Sequence, residues 1–157
     1  MNTLLSLHQQ VSRWNLALSV WGGSLLSLVL RLWIGWQFFH AGWLKLQDWE
    51  STLALFRDEY HVPVLAPGLA AYLGAGGELL LPLLLFAGLF ARPAALALFA
   101  VNVVAVWSYP QLFGFECPAA INDHIFWGVS LLVLAVFGPG RLALDAGLAR
   151  RYGSSAV

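Results

Sequence analysis

Two charged side chains sit inside runs otherwise apolar enough to cross a bilayer: Arg31 in LSLVLRLWIGWQFFHAGW and Glu78 in YLGAGGELLLPLLLF. A charge at the bilayer centre costs about 2.5–3.5 kcal/mol on insertion scales. Such a residue faces the protein interior, pairs, or lines a path for an ion, a proton or a ligand. Arg31 lies nine residues after Gly22 and Glu78 eight residues before Phe86. At about 1.5 Å per residue, both fall near the middle of a hydrocarbon core about 30 Å thick. Asn102, nine residues after Pro93, and Ser130, seven before Phe137, fall in the same layer.

Helical phase supports an inward face for this layer. With about 100° per residue, Ser24, Ser27, Gly35, Phe38, Gly42 and Lys45 fall within about 40° of Arg31. Ala71, Gly74 and Pro82 flank Glu78 in the same way. Small residues on such a face let two helix backbones approach closely. The expectation is that Arg31 and Glu78 pair across the interior, with Asn102 as a third member. A carboxyl and a guanidinium so placed could hold a quinone head group or relay protons. A buried ion pair can equally fix helix register without chemistry, and both readings stand.

The elements that would position these residues follow from composition. The chain has 157 residues, 60% hydrophobic and 10% charged, where a soluble domain is roughly a quarter charged. Eight Lys and Arg balance eight Asp and Glu, with no basic stripe to meet phosphates, so no nucleic acid is expected as a partner. The expected fold is all-α: a four-helix transmembrane bundle with short amphipathic surface helices at both termini, in one membrane domain over residues 1–157. The spans are about 22–44, 65–86, 93–109 and 123–137, with Asp123 able to cap the fourth. Residues 1–21 place Leu4, Leu7, Val11, Trp14, Leu18 and Trp21 on one stripe, as a helix lying on the membrane surface does. A C-terminal surface helix is expected over 141–151.

Lys and Arg set the orientation. Arg13, Arg92, Arg141, Arg150 and Arg151 fall on one side, against Lys45 and Arg57 on the other. Five against two places both termini in the cytoplasm. The outer loops carry Asp48, Glu50, Asp58, Glu59, Glu116 and Asp123 and are therefore acidic.

Other candidate ligands are scattered. His40 lies about 180° round the helix from Arg31, on a stripe with Trp33, Trp36 and Trp43. Trp near a membrane surface usually anchors the interface. The alternative is a quinone- or metal-contacting role for His40. His124 opens the fourth span beside Asp123 and could join His40 near the outer surface. His8 and His61 have no ligand-spaced partner in sequence. The single cysteine, Cys117, excludes an intrachain disulfide and a CxxC pair. In an outer loop it could ligate copper or form a mixed disulfide, or be an unremarkable small residue before Pro118. No metal site is expected.

The first span resembles the DoxX family of small four-span membrane proteins, with Arg31, Gly35, Phe38 or Phe39, Gly42 and Lys45 at the family's positions. The likeness continues through GAGGELLLPLLLFAGLFARPAALAL, with Glu78, Gly88 and Arg92. It closes at GPGRLALD, where Gly138, Pro139, Gly140 and Asp145 match and Ala143 stands where the family has Ser. The resemblance implies a membrane-bound redox component linked to quinone, working with a protein partner in a redox complex. Arg31 and Glu78 would then bind or protonate the quinone oxygens, assisted by Asn102. His40, Lys45, Tyr109 and His124 would line the outer approach. The chain has no redox centre of its own recognisable in sequence, so a partner supplies one or the quinone binds directly. The alternatives are a scaffold or accessory subunit of a redox, stress-response or copper-responsive peptide system, and binding or transport of a small solute or copper. Membrane lipid surrounds the chain in every case, and a homo-oligomer is compatible with each.

Overall fold

The computed structural model describes residues 2–114 and 119–153, without the side chains of residues 2–5 and 17. Cys117 lies outside the described residues. The described chain is all-helical, with α1 (Asn2–Ala17), α2 (Gly23–Gln47), α3 (Trp49–Asp58), α4 (Pro67–Ala87), α5 (Ala91–Ser108), α6 (Ala119–Phe137) and α7 (Leu144–Tyr152). One π-helical turn, Leu18–Gly22, joins α1 to α2, and a 3-10 turn, Pro110–Phe113, follows α5. The α2 region, α4, α5 and α6 are long and apolar enough to cross a membrane. They form the four-helix bundle. The most extensive packing is between α2 and α4, then between α5 and α6 and between α4 and α5, and α6 returns to α2.

The run from Asn2 to Gln47 is helical throughout. At about 1.5 Å per residue it is about 70 Å long, more than twice the hydrocarbon thickness. α1 therefore cannot share the core with α2. α1 is exposed on every side over residues 6–16, its apolar stripe at Leu7, Val11 and Trp14 included. The π-turn Leu18–Gly22 is the irregular element between the two.

Packing is densest at the end where α4 turns into α5. Ile34, Phe38, Leu85, Ala91, Ala94, Ala95, Leu98, Leu131 and Leu134 form one buried cluster there. The phenyl ring of Phe86 lies against Gly35, where a Cβ would come within 2.5 Å of it. The segment 138–145 seals this end. Ser27 donates to the Gly138 carbonyl at 3.0 Å, and the Arg141 amide donates to Ser24 Oγ at 3.0 Å. Gly140 has φ +73° and lies against the Ser24 backbone, a position no side chain could share. Asp145 accepts from the amides of Phe90 and Ala91 at 2.9 and 3.0 Å. It thus serves as the N-terminal cap of α5 from a distant part of the chain. These contacts hold residues 141–143 out of a helix, so α7 starts only at Leu144.

The opposite end is looser and holds a second, smaller cluster of Phe56, Ala70 and Ala71, flanked by Trp49, Leu53, Tyr60 and Val62. It is built by α3, a helix in the stretch expected from sequence to be an outer loop. Asp48 caps α3, accepting from the Ser51 amide at 3.0 Å and its hydroxyl at 2.6 Å. Asp123 is not the cap of the fourth span: α6 is already helical at Ala119, so Asp123 lies inside its second turn.

Candidate functional site

The corner between α2 and α3 places Lys45. Thr52 on α3 donates to the Lys45 carbonyl at 2.9 Å, which satisfies an acceptor the end of α2 leaves open. The Lys45 side chain then reaches back along α2 to α4, where Nζ lies 2.6 Å from Glu78 Oε2. The two side chains are 17% and 11% exposed. Glu78 stands halfway along α4, opposite Gly42, whose missing side chain makes room: a Cβ there would meet Glu78 Cβ at 2.9 Å and the Glu78 carbonyl carbon at 3.1 Å. Pro82, four residues on, has no N–H to give the Glu78 carbonyl, so the helix is one hydrogen bond short where the pair sits.

The expected pairing of Arg31 with Glu78 is not formed. Arg31 is fully buried, but its Nη1 donates to the Leu85 carbonyl at 3.0 Å and its Nη2 to the Leu142 carbonyl at 2.6 Å. The reason is register. Gly35 faces Phe86 and Gly42 faces Glu78, so Arg31 lies beyond Phe86, at the sealed end. Eleven residues separate Arg31 from Gly42, about 16 Å along the helix. Counting depth from Gly22 misplaced α2 because the helix begins well before the bundle does. Arg31 works as a clamp: its guanidinium takes the negative end of α4 and ties it to the chain that follows Gly138. Its Nη1 occupies the space a Cβ of Gly88 would need.

Above the Lys45–Glu78 pair lies a cavity of about 230 Å³. Lys45 and Glu78 reach it among Phe56, Leu73, Gly74, Val101 and Val104 from three helices, and Tyr60, Val62 and Leu65 from the connection that follows α3. Its walls are almost wholly apolar. One exception is Ser108, fully buried, whose Oγ has no hydrogen-bond partner among the described residues. The Ser108 carbonyl accepts from the His61 amide at 2.7 Å, which ties the connection across the top. The other is Tyr60, stacked between Phe56 (centroids 4.8 Å) and Tyr109 (5.1 Å). Tyr109 donates to Glu59 Oε2 at 3.0 Å. Burial, followed by the charge of Glu78 and smaller effects of Tyr109 and Glu59, pushes the Tyr60 phenol up to about 12.

The remaining candidates form two groups. Asn102 neighbours Val101, which packs near Gly77, so Asn102 does share the depth of Glu78. It turns towards α6, however, and binds His124: Nδ2 donates to the His124 carbonyl at 2.9 Å, and Oδ1 lies 2.8 Å from His124 Nδ1. Since only the amide nitrogen can donate to a carbonyl, Oδ1 must accept, and His124 carries its proton on Nδ1. This pair lies on a groove between α5 and α6 lined by Phe99, Val103 and Trp107. His40 belongs to neither group. It is exposed, stacked on Trp36 at 6.0 Å, and Trp33, Trp36 and Trp43 are exposed beside it. Among the described residues no three His, Cys, Asp or Glu gather as metal ligands would. Ser108 and Tyr60 were missed in the sequence. Tyr60 was legible as the continuation of the stripe Trp49, Leu53, Phe56; nothing local marks Ser108.

A protein of Haemophilus influenzae, named only as uncharacterized, is 29% identical over 136 residues, covering 83% of this chain and 88% of its own. No solved structure matches. The DoxX family model matches residues 26–111, which include Arg31, Gly42, Lys45, Glu78 and Ser108. With more than half of its length matched, the chain belongs to the DoxX family of membrane proteins.

Proposed function

We propose that this protein is a membrane redox component whose Lys45–Glu78 cavity holds a quinone head group. The observation that carries the reading is a buried ion pair opening onto an otherwise apolar cavity between membrane-spanning helices. A flat apolar ring with oxygens at its edge suits such walls, and the Ser108 hydroxyl, without a partner among the described residues, supports a ligand with a polar edge. When bound, a quinone supplies two-electron, two-proton redox chemistry.

The chain's own residues have separate tasks. Lys45 has two N–H groups beyond the one given to Glu78, and these donate to a ligand oxygen. Glu78 holds Lys45 in place and is the group able to accept or return a proton at that oxygen. Phe56 and Val101 exclude water from the pair, which strengthens its field. Arg31 takes no part, since the Leu85 and Leu142 carbonyls occupy its Nη atoms. Asn102 and His124 face another groove and act, if at all, through α5. Tyr109 holds Tyr60 at the approach.

The electron donor is a protein partner, and both termini lie in the cytoplasm, which places the cavity towards the outer side of the cytoplasmic membrane. The exposed Trp33–Trp36–Trp43 face favours a second reading, an accessory subunit that docks a partner. Titration of the protein in lipid nanodiscs with decylubiquinone, followed by tryptophan fluorescence, separates them. Saturable binding that Glu78→Gln weakens in a still-folded protein supports the quinone site. No saturable binding by the wild type leaves the accessory reading.

A further inference from the structure

The cavity extends well beyond the ion pair, and its far end has a polar group the pair does not explain. Glu78 lies at the depth of Val101, because a Cβ on the neighbouring Gly77 would meet the Val101 side chain at 3.5 Å. Ser108 is seven residues further along α5, about 10 Å nearer the open end. Its Oγ is buried, lines the cavity and is without a partner among the described residues. A buried hydroxyl left unmatched costs roughly 1–3 kcal/mol, so a fold that keeps one inside a ligand-sized cavity gains nothing structural from it. The exposed members of the lining are Leu65, Leu73, Ala100 and Val104. The opening is therefore apolar and lies between α4 and α5, where it faces lipid.

We infer that Ser108 is the second polar anchor of the cavity ligand, which enters sideways from the bilayer between Leu73 and Val104 and spans from Lys45 to Ser108. The ligand class is an amphiphile with hydrogen-bonding oxygens at two edges of its head and an alkyl chain that leaves between α4 and α5. This rests on the quinone reading and adds to it the pose, the entry path and a residue. His61 contributes by holding the Ser108 backbone under the Val62–Leu65 connection.

Ser108→Ala gives opposite signs for a ligand anchor and a structural residue. As an anchor, it leaves the thermal midpoint of the ligand-free protein unchanged or higher and weakens decylubiquinone binding about tenfold, with Ser108→Thr close to wild type. Val104→Trp, which fills the opening, slows association without changing the midpoint. A structural Ser108 would instead show a lower midpoint with unchanged affinity, and that result overturns the inference. Tight binding by the wild type with equal binding by Ser108→Ala also overturns it, while leaving the quinone reading intact. Absence of any binding by the wild type removes both.

Discussion

Lys45 and Glu78, on helices that run in opposite directions, meet at 2.6 Å in the middle of the bundle. Among the described residues, each is the other's ion-pair partner. Removing one partner leaves a charge in a low-dielectric site, and breaking such a pair costs about 3–5 kcal/mol. Lys45→Met and Glu78→Gln should each lower stability in detergent by an amount of that order. The double variant should lose much less than the sum. Additive losses would show that the two charges are not coupled.

Arg31 should matter for the fold alone. Arg31→Met strips the hydrogen bonds from the buried Leu85 carbonyl and the part-buried Leu142 carbonyl and should cost about 2–4 kcal/mol. Quinone affinity in the surviving folded fraction should equal that of the wild type. A selective loss of affinity at unchanged stability would return Arg31 to the site.

Gly42 sets the distance between α2 and α4. A Cβ there meets Glu78 and Leu79 at 2.9–3.1 Å, and overpacking of this kind costs about 1–3 kcal/mol. Gly42→Ala should lower the thermal midpoint and weaken quinone binding together, because the same displacement moves Glu78. Gly76 has nothing within 4 Å of the equivalent point, so Gly76→Ala should do neither.

The phenol of Tyr60 is pushed up to about 12 by burial and then by the charge of Glu78. Between its ordinary value near 10 and this one, the folded protein holds a proton that the unfolded chain has lost. Stability is therefore undiminished below about pH 10 and falls as pH rises towards 12. An ultraviolet titration should show one tyrosinate forming about two units late. Tyr60→Phe should abolish that late step and flatten the stability loss.

Orientation is checked by fusing a fluorescent protein to the C-terminus. It should fluoresce, as it does when folded in the cytoplasm, whereas an alkaline phosphatase fusion at the same point should be inactive. The reverse pattern would turn the cavity towards the cell interior.

The helices were legible because a bilayer demands long apolar runs, and continuous runs such as LLLPLLLF leave no other reading. The inward face was legible from phase: Arg31, Gly35, Gly42 and Glu78 do all point inward. What failed was register. Depth counted from helix ends treats Gly22 as a membrane edge, but α2 is continuous with helix on both sides of that residue. Only the contacts of Gly35 and Gly42 reveal how far it is shifted. Lys45 lies on the face that phase indicates, near the end of α2; that its long side chain reaches back to Glu78 rather than out to the surface is visible only in the structure. Ser108 has no pattern at all; its meaning comes from the cavity that other elements build.

The most direct test is native mass spectrometry of the protein extracted in mild detergent from its own membranes, alongside Glu78→Gln and Lys45→Met. The account predicts a quinone adduct on the wild type that is lost or strongly reduced in both folded variants. A bare wild-type chain, even after quinone is added, would contradict it, as would an adduct that survives both substitutions.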